Sequence, residues 1–313
     1  MGSILHDKNI LVTGGAGTLG RAIARRRQEE GWEGKFTVYS TDGHKHEMMR
    51  REFRDIQYVQ GDIRNYNTLY QAMVGHDIVI HAAAVKIIPD SELWSIDTMD
   101  VNVSGSTNVC AAGVQANIEH VIGISTDKAC HAANAYGATK YLMEKTFQEY
   151  SRMGMTTKFH LVRYGNVLES NGSVIQVWKR ARERGEKIRI TDPEMTRFWL
   201  SPRQAVDYVL DTIPQQSGFI YIPKMPSLSI GDLADYTVGL NDDYERAEIR
   251  PGEKKHETLL TEEEGWYARE FEDVFFLPPT TAERRNAPLP PYTSDMAKRL
   301  TREELHRLLD GNS

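Results

Sequence analysis

The chain is 313 residues long, enough to bury a substantial core in one large domain or two closely joined ones. Its composition, 40% hydrophobic and 26% charged with a net charge of -6, is that of a soluble enzyme and lacks the basic surplus that nucleic-acid binding uses. Two cysteines, Cys110 and Cys130, make no disulfide framework and point to a reducing cytoplasm, while no apolar run approaches the roughly 20 residues a membrane span requires.

A strand-like run begins by Asn9, which predicts that no signal peptide precedes it. Strands are predicted at Asn9–Thr13, Lys35–Ser40, Ile56–Gln60, Asp77–His81, Val121–Ser125 and Phe159–Arg163. Helical patterns fall between them at Leu19–Glu30, Thr98–Ala116 and Tyr136–Met153, with Arg25, Arg26 and Arg27 expected on a solvated face. This alternation predicts an α/β fold, a Rossmann-like doubly wound parallel sheet covered on both faces. After Arg163 the rhythm changes: a helix at Ser173–Arg184, a short strand at Lys187–Thr191, then a helix start at Ser201-Pro202-Arg203-Gln204. Gly218–Ile222 reads as a strand and Ile230–Val238 as a helix. Leu277–Pro291 holds five of the twelve prolines and is expected to be extended, and Thr301–Leu309 closes as a helix with Thr301 and Glu304 as a capping box. The expected division is a dinucleotide-binding domain over 1–165 and a smaller, interwoven substrate domain over 166–313, with segments around 201–223 packing back onto the first.

The run LVTGGAGTLGRAIA places Gly14, Gly17 and Gly20 between the first strand and the first helix, with Thr18 and Leu19 opening that helix. Glycines there let the backbone turn and approach a pyrophosphate, which the helix N-terminus stabilises. The second strand ends in Ser40 where an acidic residue would favour NAD, followed by Thr41, Asp42 and a Lys45 flanked by His44 and His46. That pattern favours NADP, with NAD left open. Asp62, next to Ile63 after the third strand, is placed to cap an adenine or simply to close a turn. The small residues of HAAAVK, including Ala82, let a dinucleotide lie close to the backbone.

Tyr136 and Lys140 form a Tyr-x-x-x-Lys pair one helical turn apart, on one face. The lysine charge is expected to lower the tyrosine pKa, so that a phenolate takes a proton from a substrate hydroxyl. Together with the glycine-rich first turn and a strand ending in Ser125-Thr126, this pair resembles the extended short-chain dehydrogenase/reductase family. The set STDKA, YGATK, RYGNV, MTRFW and RPGEK, spread between residues 9 and 273, narrows the resemblance to the soluble, inverting UDP-N-acetylglucosamine 4,6-dehydratases of bacterial surface-sugar synthesis. Membrane-anchored relatives carry Met in place of the tyrosine.

The resemblance implies oxidation at C4, elimination of water across C5 and C6, and return of hydride to C6. It assigns the O4 proton to Tyr136 with Lys140 and Thr126, the C5 proton to Lys128, and protonation of the departing C6 hydroxyl to Asp127. A lysine base must be neutral when it acts, so Lys128 is expected to have a depressed pKa. The resemblance further implies substrate contacts from Lys86, Asn166, Arg197, Arg250 and Glu253, cofactor contacts that include Val167, and a homo-oligomer; no metal is implied. Arg suits a diphosphate because its planar fork bonds two oxygens. The chain departs from the pattern at Thr41, where relatives carry Arg, at Ser170-Asn171-Gly172-Ser173 in place of Ser-Arg-Gly-Ser, and at Ala132 or Ala133, where a Pro is common. Two other readings fit the fold: a nucleotide-sugar 4-epimerase, which has no use for Lys128 as a C5 base, and a non-catalytic dinucleotide-binding protein.

Overall fold

The computed structural model describes residues 5–168, 173–239, 244–279 and 283–310. Six parallel strands carry the first half: β1 (Ile10–Thr13), β2 (Phe36–Ser40), β3 (Gln57–Gln60), β4 (Ile78–His81), β5 (His120–Thr126) and β6 (Lys158–Tyr164). β1 and β4 are buried at every position, as their unbroken apolar runs require of strands covered on both faces. Later strands are β7 (Asn166–Val167), β8 (Ile188–Ile190), β9 (Thr196–Leu200), β10 (Ile220–Pro223), β11 (Ser227–Ser229), β12 (Tyr244–Arg246), β13 (Thr258–Leu260), β14 (Arg269–Glu270), β15 (Val274–Leu277) and β16 (Tyr292–Thr293). The large sheet runs β14-β15-β10-β6-β5-β4-β1-β2-β3, in which β10 pairs parallel with β6, and β15 antiparallel with β10. The order reverses between β1 and β4, so a crevice opens at their carboxyl ends.

The helices are α1 (Thr18–Glu30), α2 (Gly43–Glu52), α3 (Tyr66–Met73), α4 (Ile88–Leu93), α5 (Ser95–Met99), α6 (Gly105–Gln115), α7 (Ala135–Arg152), α8 (Val174–Glu183), α9 (Pro202–Leu210), α10 (Ile230–Val238), α11 (Glu262–Gly265) and α12 (Arg302–Leu309). The single helix predicted over Thr98–Ala116 is interrupted: a π-helical turn over Asp100–Ser104 joins α5 to α6. Such turns occur frequently at functional sites, and this one places the Asn102 amide, which donates to Val85 O at 2.9 Å and Thr139 Oγ1 at 3.0 Å. The predicted capping boxes of α9 and α12 both form. Replacing Ser201 with Ala removes one and costs about 1 kcal/mol.

The arginine run is not a solvated face. Arg25 pairs with Glu52 at the surface, but Arg26 and Arg27 are largely buried and pair with Asp207 of α9 and with Asp55. The Arg26 pair fastens α1 to the returning helix α9, and the Arg27 pair fastens it to the turn between α2 and β3. A second apolar cluster, around Ile175, Trp178, Trp199, Leu228, Leu233 and Leu305, joins α8, α10 and α12 to β9 outside the main core. Leu277 ends β15, and the described residues from Glu283 to Pro291 hold no helix or strand. The Ser170-Asn171-Gly172 departure lies outside the described residues; Ser173 is the N-cap of α8.

Candidate active site

The glycine-rich turn is built for close approach. Gly14 sits at φ +66°, and a Cβ there would lie 2.7 Å from the Ala83 backbone on the neighbouring β4 loop. Gly17 is the N-cap of α1 with no side-chain cap, so the helix N-terminus faces outward as an anion site. A Cβ at Gly17 would meet only Gly14 O at 3.1 Å, which leaves the outer side of the turn clear for a pyrophosphate. Below it, fully buried His81 binds Thr13 Oγ1 at 2.7 Å and Ser106 Oγ at 2.9 Å, and burial pulls its pKa down to about 3. Thr18 and Leu19 open the helix behind this turn, Gly20 packs against it, where a Cβ would lie 2.0 Å from Gly15 O, and Ala82 follows the adjacent strand β4.

Around the second strand the side chains have other partners. Ser40 Oγ bonds His46 Nε2 at 2.7 Å, and Lys45 pairs with Asp42 at 2.9 Å. Asp62, next to buried Ile63, gives both carboxylate oxygens to Arg64, so its expected contact with an adenine competes with an ion pair of 2.6 Å. Thr41 is exposed and its carbonyl accepts from Gln60. Burial, reinforced by the Lys45 charge, lowers the Lys86 pKa.

The proton-carrying residues gather where β5 meets α7. Thr126 ends β5, and Asp127–Ala129 turn as one 3-10 helix. Asn134 caps α7 by accepting from Gly137 N at 2.8 Å, and its amide donates to Gly252 O at 3.2 Å, tying the helix to the RPGEK loop. Gly137 is needed because a Cβ there would lie 2.2 Å from Lys128 O. Asp127 is fully buried; its Oδ1 accepts from Thr126 Oγ1 and from Lys128 Nζ, both at 2.9 Å, while Oδ2 accepts nothing among the described residues. Thr126 and Lys128 both act on the Tyr136 phenol.

Two electrostatic expectations are corrected. Lys128 is not depressed: burial alone would lower its pKa, but the charges of Asp127 and of Glu257, 3.6 Å away, outweigh it and raise it. Nor is Tyr136 lowered. Burial pushes its phenol up, and the cation that opposes this is Lys128, helped by the Thr126 hydroxyl. Lys140 instead lies against Met143 Sδ at 3.0 Å, and burial pulls it down to about 8, partly countered by Glu144.

On the substrate side, Arg197 of β9 is buried and pairs with Glu253 at 3.5 Å and with Glu257 at 3.8 Å. Asn166 donates to Phe198 O at 3.2 Å beside half-buried Val167, and Arg250 is exposed, its backbone N–H donating to Glu253 Oε2 at 3.3 Å. The structure thus joins Arg197 and Glu253 to the Lys128 cluster and leaves Arg250 at the rim. Two features escaped the sequence. Glu257, four residues after Glu253, lies among Lys128, Arg197 and Lys254. Beneath the site, fully buried Arg163 binds Glu144 at 2.7 and 2.9 Å and Glu264 at 2.8 Å, and touches Cys130 Sγ at 3.0 Å. Arg163 opens the RYGNV motif, and its place in a run of apolar strand residues is a signal of a buried charge; Glu257, three residues past RPGEK in a polar stretch, carries none.

A doubly wound sheet with a glycine-rich first turn, with Thr126 at the end of β5 and Tyr136 and Lys140 in the first turns of α7, is the layout of an extended short-chain dehydrogenase/reductase. The chain belongs to the family described as polysaccharide biosynthesis protein, which matches residues 10–279. It is 36% identical to the UDP-N-acetylglucosamine 4,6-dehydratase (inverting) of Campylobacter jejuni over 88% of this chain and 84% of that one. It is 34% identical to the UDP-glucose 4-epimerase of Rickettsia conorii, over 97% and 95%. The solved structure of Pen from Bacillus thuringiensis superposes with a TM-score of 0.90 at 32% identity, covering 99% of both chains. A dTDP-glucose 4,6-dehydratase from Streptomyces venezuelae, solved with NAD, shares the fold at TM-score 0.70 and 19% identity, over 78% of this chain and 86% of that one.

Proposed function

We propose that the protein is a UDP-N-acetylglucosamine 4,6-dehydratase that inverts C5. The observation that carries the reading is the pairing of Lys128 Nζ with the buried carboxylate of Asp127 at 2.9 Å, close enough for both charges to act on Tyr136, an acid and a base more than hydride transfer requires. The similarity to the Campylobacter jejuni dehydratase supports it. A bound nicotinamide dinucleotide supplies the hydride carrier between C4 and C6. Tyr136, assisted by Thr126, takes the O4 proton. The C4 ketone then acidifies the C5 hydrogen by delocalising the carbanion. Lys128 accepts that proton and Asp127 protonates O6, which leaves as water. Glu253 and Arg197 orient the sugar and its diphosphate, with Lys86, Asn166 and Arg250 at the edges. The test is the mass of the product from UDP-N-acetylglucosamine: loss of one water supports the reading, whereas an unchanged mass with C4 inverted makes the protein an epimerase, the activity of the Rickettsia conorii relative.

The cofactor reading is NADP. It is supported by Ser40 in place of a strand-end acid and by Lys45, whose charge helps lower the Lys86 pKa and whose present partner Asp42 a phosphate would replace. Equal affinity for NAD and NADP by calorimetry sinks it. No helix among the described residues is long and apolar enough to cross a membrane, which supports a cytoplasmic location. We place the smaller nucleotide-sugar domain after residue 165, around the second apolar cluster. Self-association is supported by exposed Leu93, Trp94, Ile96 and Met99 on α4 and α5, beside exposed Tyr141 and Leu142 on α7. Ile96→Asp is expected to shift the mass in light scattering to that of a single chain.

A further inference from the structure

The inference concerns Glu257 and rests on the dehydratase reading above. Elimination needs Lys128 as a free amine and Asp127 as a carboxylic acid. The ammonium and carboxylate that face each other across 2.9 Å hold the opposite forms. One proton shift resolves both at once. The Nζ–H bond of Lys128 breaks, the proton joins Asp127 Oδ1, and the electron pair stays on nitrogen. The pair remains neutral overall. The amine then takes the C5 proton while the electron pair of the C5–H bond forms the C5–C6 double bond. O6 takes the Asp127 proton and leaves as water. The dyad has returned to ammonium and carboxylate.

Glu257 is the group built to govern that shift. Its backbone is pinned on both sides by Ser294, which accepts from Glu257 N at 2.9 Å through Oγ and donates its own N–H to Glu257 O at 2.8 Å. Its side chain is buried, with Oε1 3.6 Å from Lys128 Nζ and 3.8 Å from Arg197 Nε, and Oε2 3.9 Å from Lys254 Nζ. Oε2 accepts no hydrogen bond among the described residues. A carboxylate surrounded by three cations yet bonded to none of them adds field rather than attachment. Arg197 and Lys254 have anchors of their own: Arg197 donates to Thr196 O at 2.8 Å, and Lys254 to Cys130 O at 2.5 Å.

We propose that Asp127 and Lys128 form one proton-switching dyad and that Glu257 is the positioning residue whose charge sets which member holds the proton. The charged and titratable groups facing Lys128 are Asp127 on its own turn, Tyr136 of α7, Arg197 of β9 and Glu257 before β13. Of these, Glu257 is the one with no assigned part in the chemistry.

The test is competitive acetylation of the purified protein with acetic anhydride, Lys128 being followed by mass spectrometry across alkaline pH, where the rate reports the amine fraction. Glu257→Gln keeps the shape and removes the charge; it is expected to raise labelling of Lys128 about tenfold or more at a given pH, one pKa unit or more. Glu257→Asp, which keeps the charge, restores a rate near that of the wild type. Lys254→Met removes a cation beside Glu257 and moves the rate the other way, so the proposal stays testable if the glutamine variant does not fold. Among variants that form product, the acid limb of the pH–rate profile moves to lower pH in Glu257→Gln. Unchanged Lys128 labelling in Glu257→Gln, or in Lys254→Met where that is the variant that folds, overturns the proposal. Labelling needs no turnover, so a protein that makes no 6-deoxy product refutes the dehydratase reading without touching this result.

Discussion

Two buried charge clusters lie a few residues apart and are built in opposite ways. Around Arg163 every contact is tight: Ser125 donates to Glu144 at 2.5 Å, and the guanidinium spans Glu144 and Glu264 at 2.7–2.9 Å. Around Lys128 the outer contacts lengthen to 3.5–3.9 Å, and Asp127 Oδ2 and Glu257 Oε2 accept nothing among the described residues. Saturated hydrogen bonding locks β5, β6, α7 and α11 together. Unsatisfied buried carboxylates carry a desolvation cost that has no structural return, which is the mark of groups kept for chemistry. The comparison predicts that damage to one cluster appears in stability and damage to the other in turnover.

The largest effects should therefore divide cleanly. Lys128→Met and Asp127→Asn are each expected to slow product formation by about 10²–10⁴-fold, with melting temperatures close to that of the wild type; a collapse in stability instead would erase the distinction. Arg163→Met strands Glu144 in the interior and is expected to cost about 3–5 kcal/mol in urea unfolding. Glu264→Gln should cost less, since that side chain retains 18% exposure.

Acid sharpens the same contrast. Burial pulls His81 and His160 to about 3, below the ordinary 6.5, so the unfolded chain takes up protons first. Their contribution is complete above about pH 6.5 and is lost progressively as pH falls toward 3. A calorimetric series from pH 8 to 5 (about one unit per step) should show the melting temperature falling through this window, and a flat series contradicts it. Glu264, for which burial is outweighed by the Arg163 charge, is depressed, and its share disappears only in stronger acid, below the usual carboxylate range.

The smallest expected effect on stability is at Lys140. Its pKa of about 8 against an ordinary 10.5 means that its contribution is most favourable above 10.5 and declines as pH falls to 8. Lys140→Met should consequently raise the melting temperature modestly at neutral pH. A drop in stability would place Lys140 with the locking cluster.

Much of this was legible in the chain. The six parallel strands follow from apolar runs bounded by turn residues, and the helix starts at Ser201 and Thr301 from capping boxes that depend on local spacing alone. The π-helical turn at Asp100–Ser104 was not legible, because Asn102 earns it through contacts with Val85 and Thr139 that are distant in sequence. Arg26 and Arg27 misled for the same reason: their partners, Asp207 and Asp55, come from other elements. Motif spacing assembled Thr126, Asp127, Lys128 and Tyr136, yet it could not give their charge states. Those depend on Glu257, which the fold delivers from 129 residues further along than Lys128.

The central claim is that this site eliminates water rather than inverting C4. A proton NMR time course with UDP-N-acetylglucosamine in deuterated water, first without and then with added NADP or NAD, addresses it directly. The account predicts a new 6-deoxy methyl signal with deuterium at C5 and the couplings of an L-arabino sugar. Formation of the 4-epimer with no methyl signal under any of these conditions would contradict it.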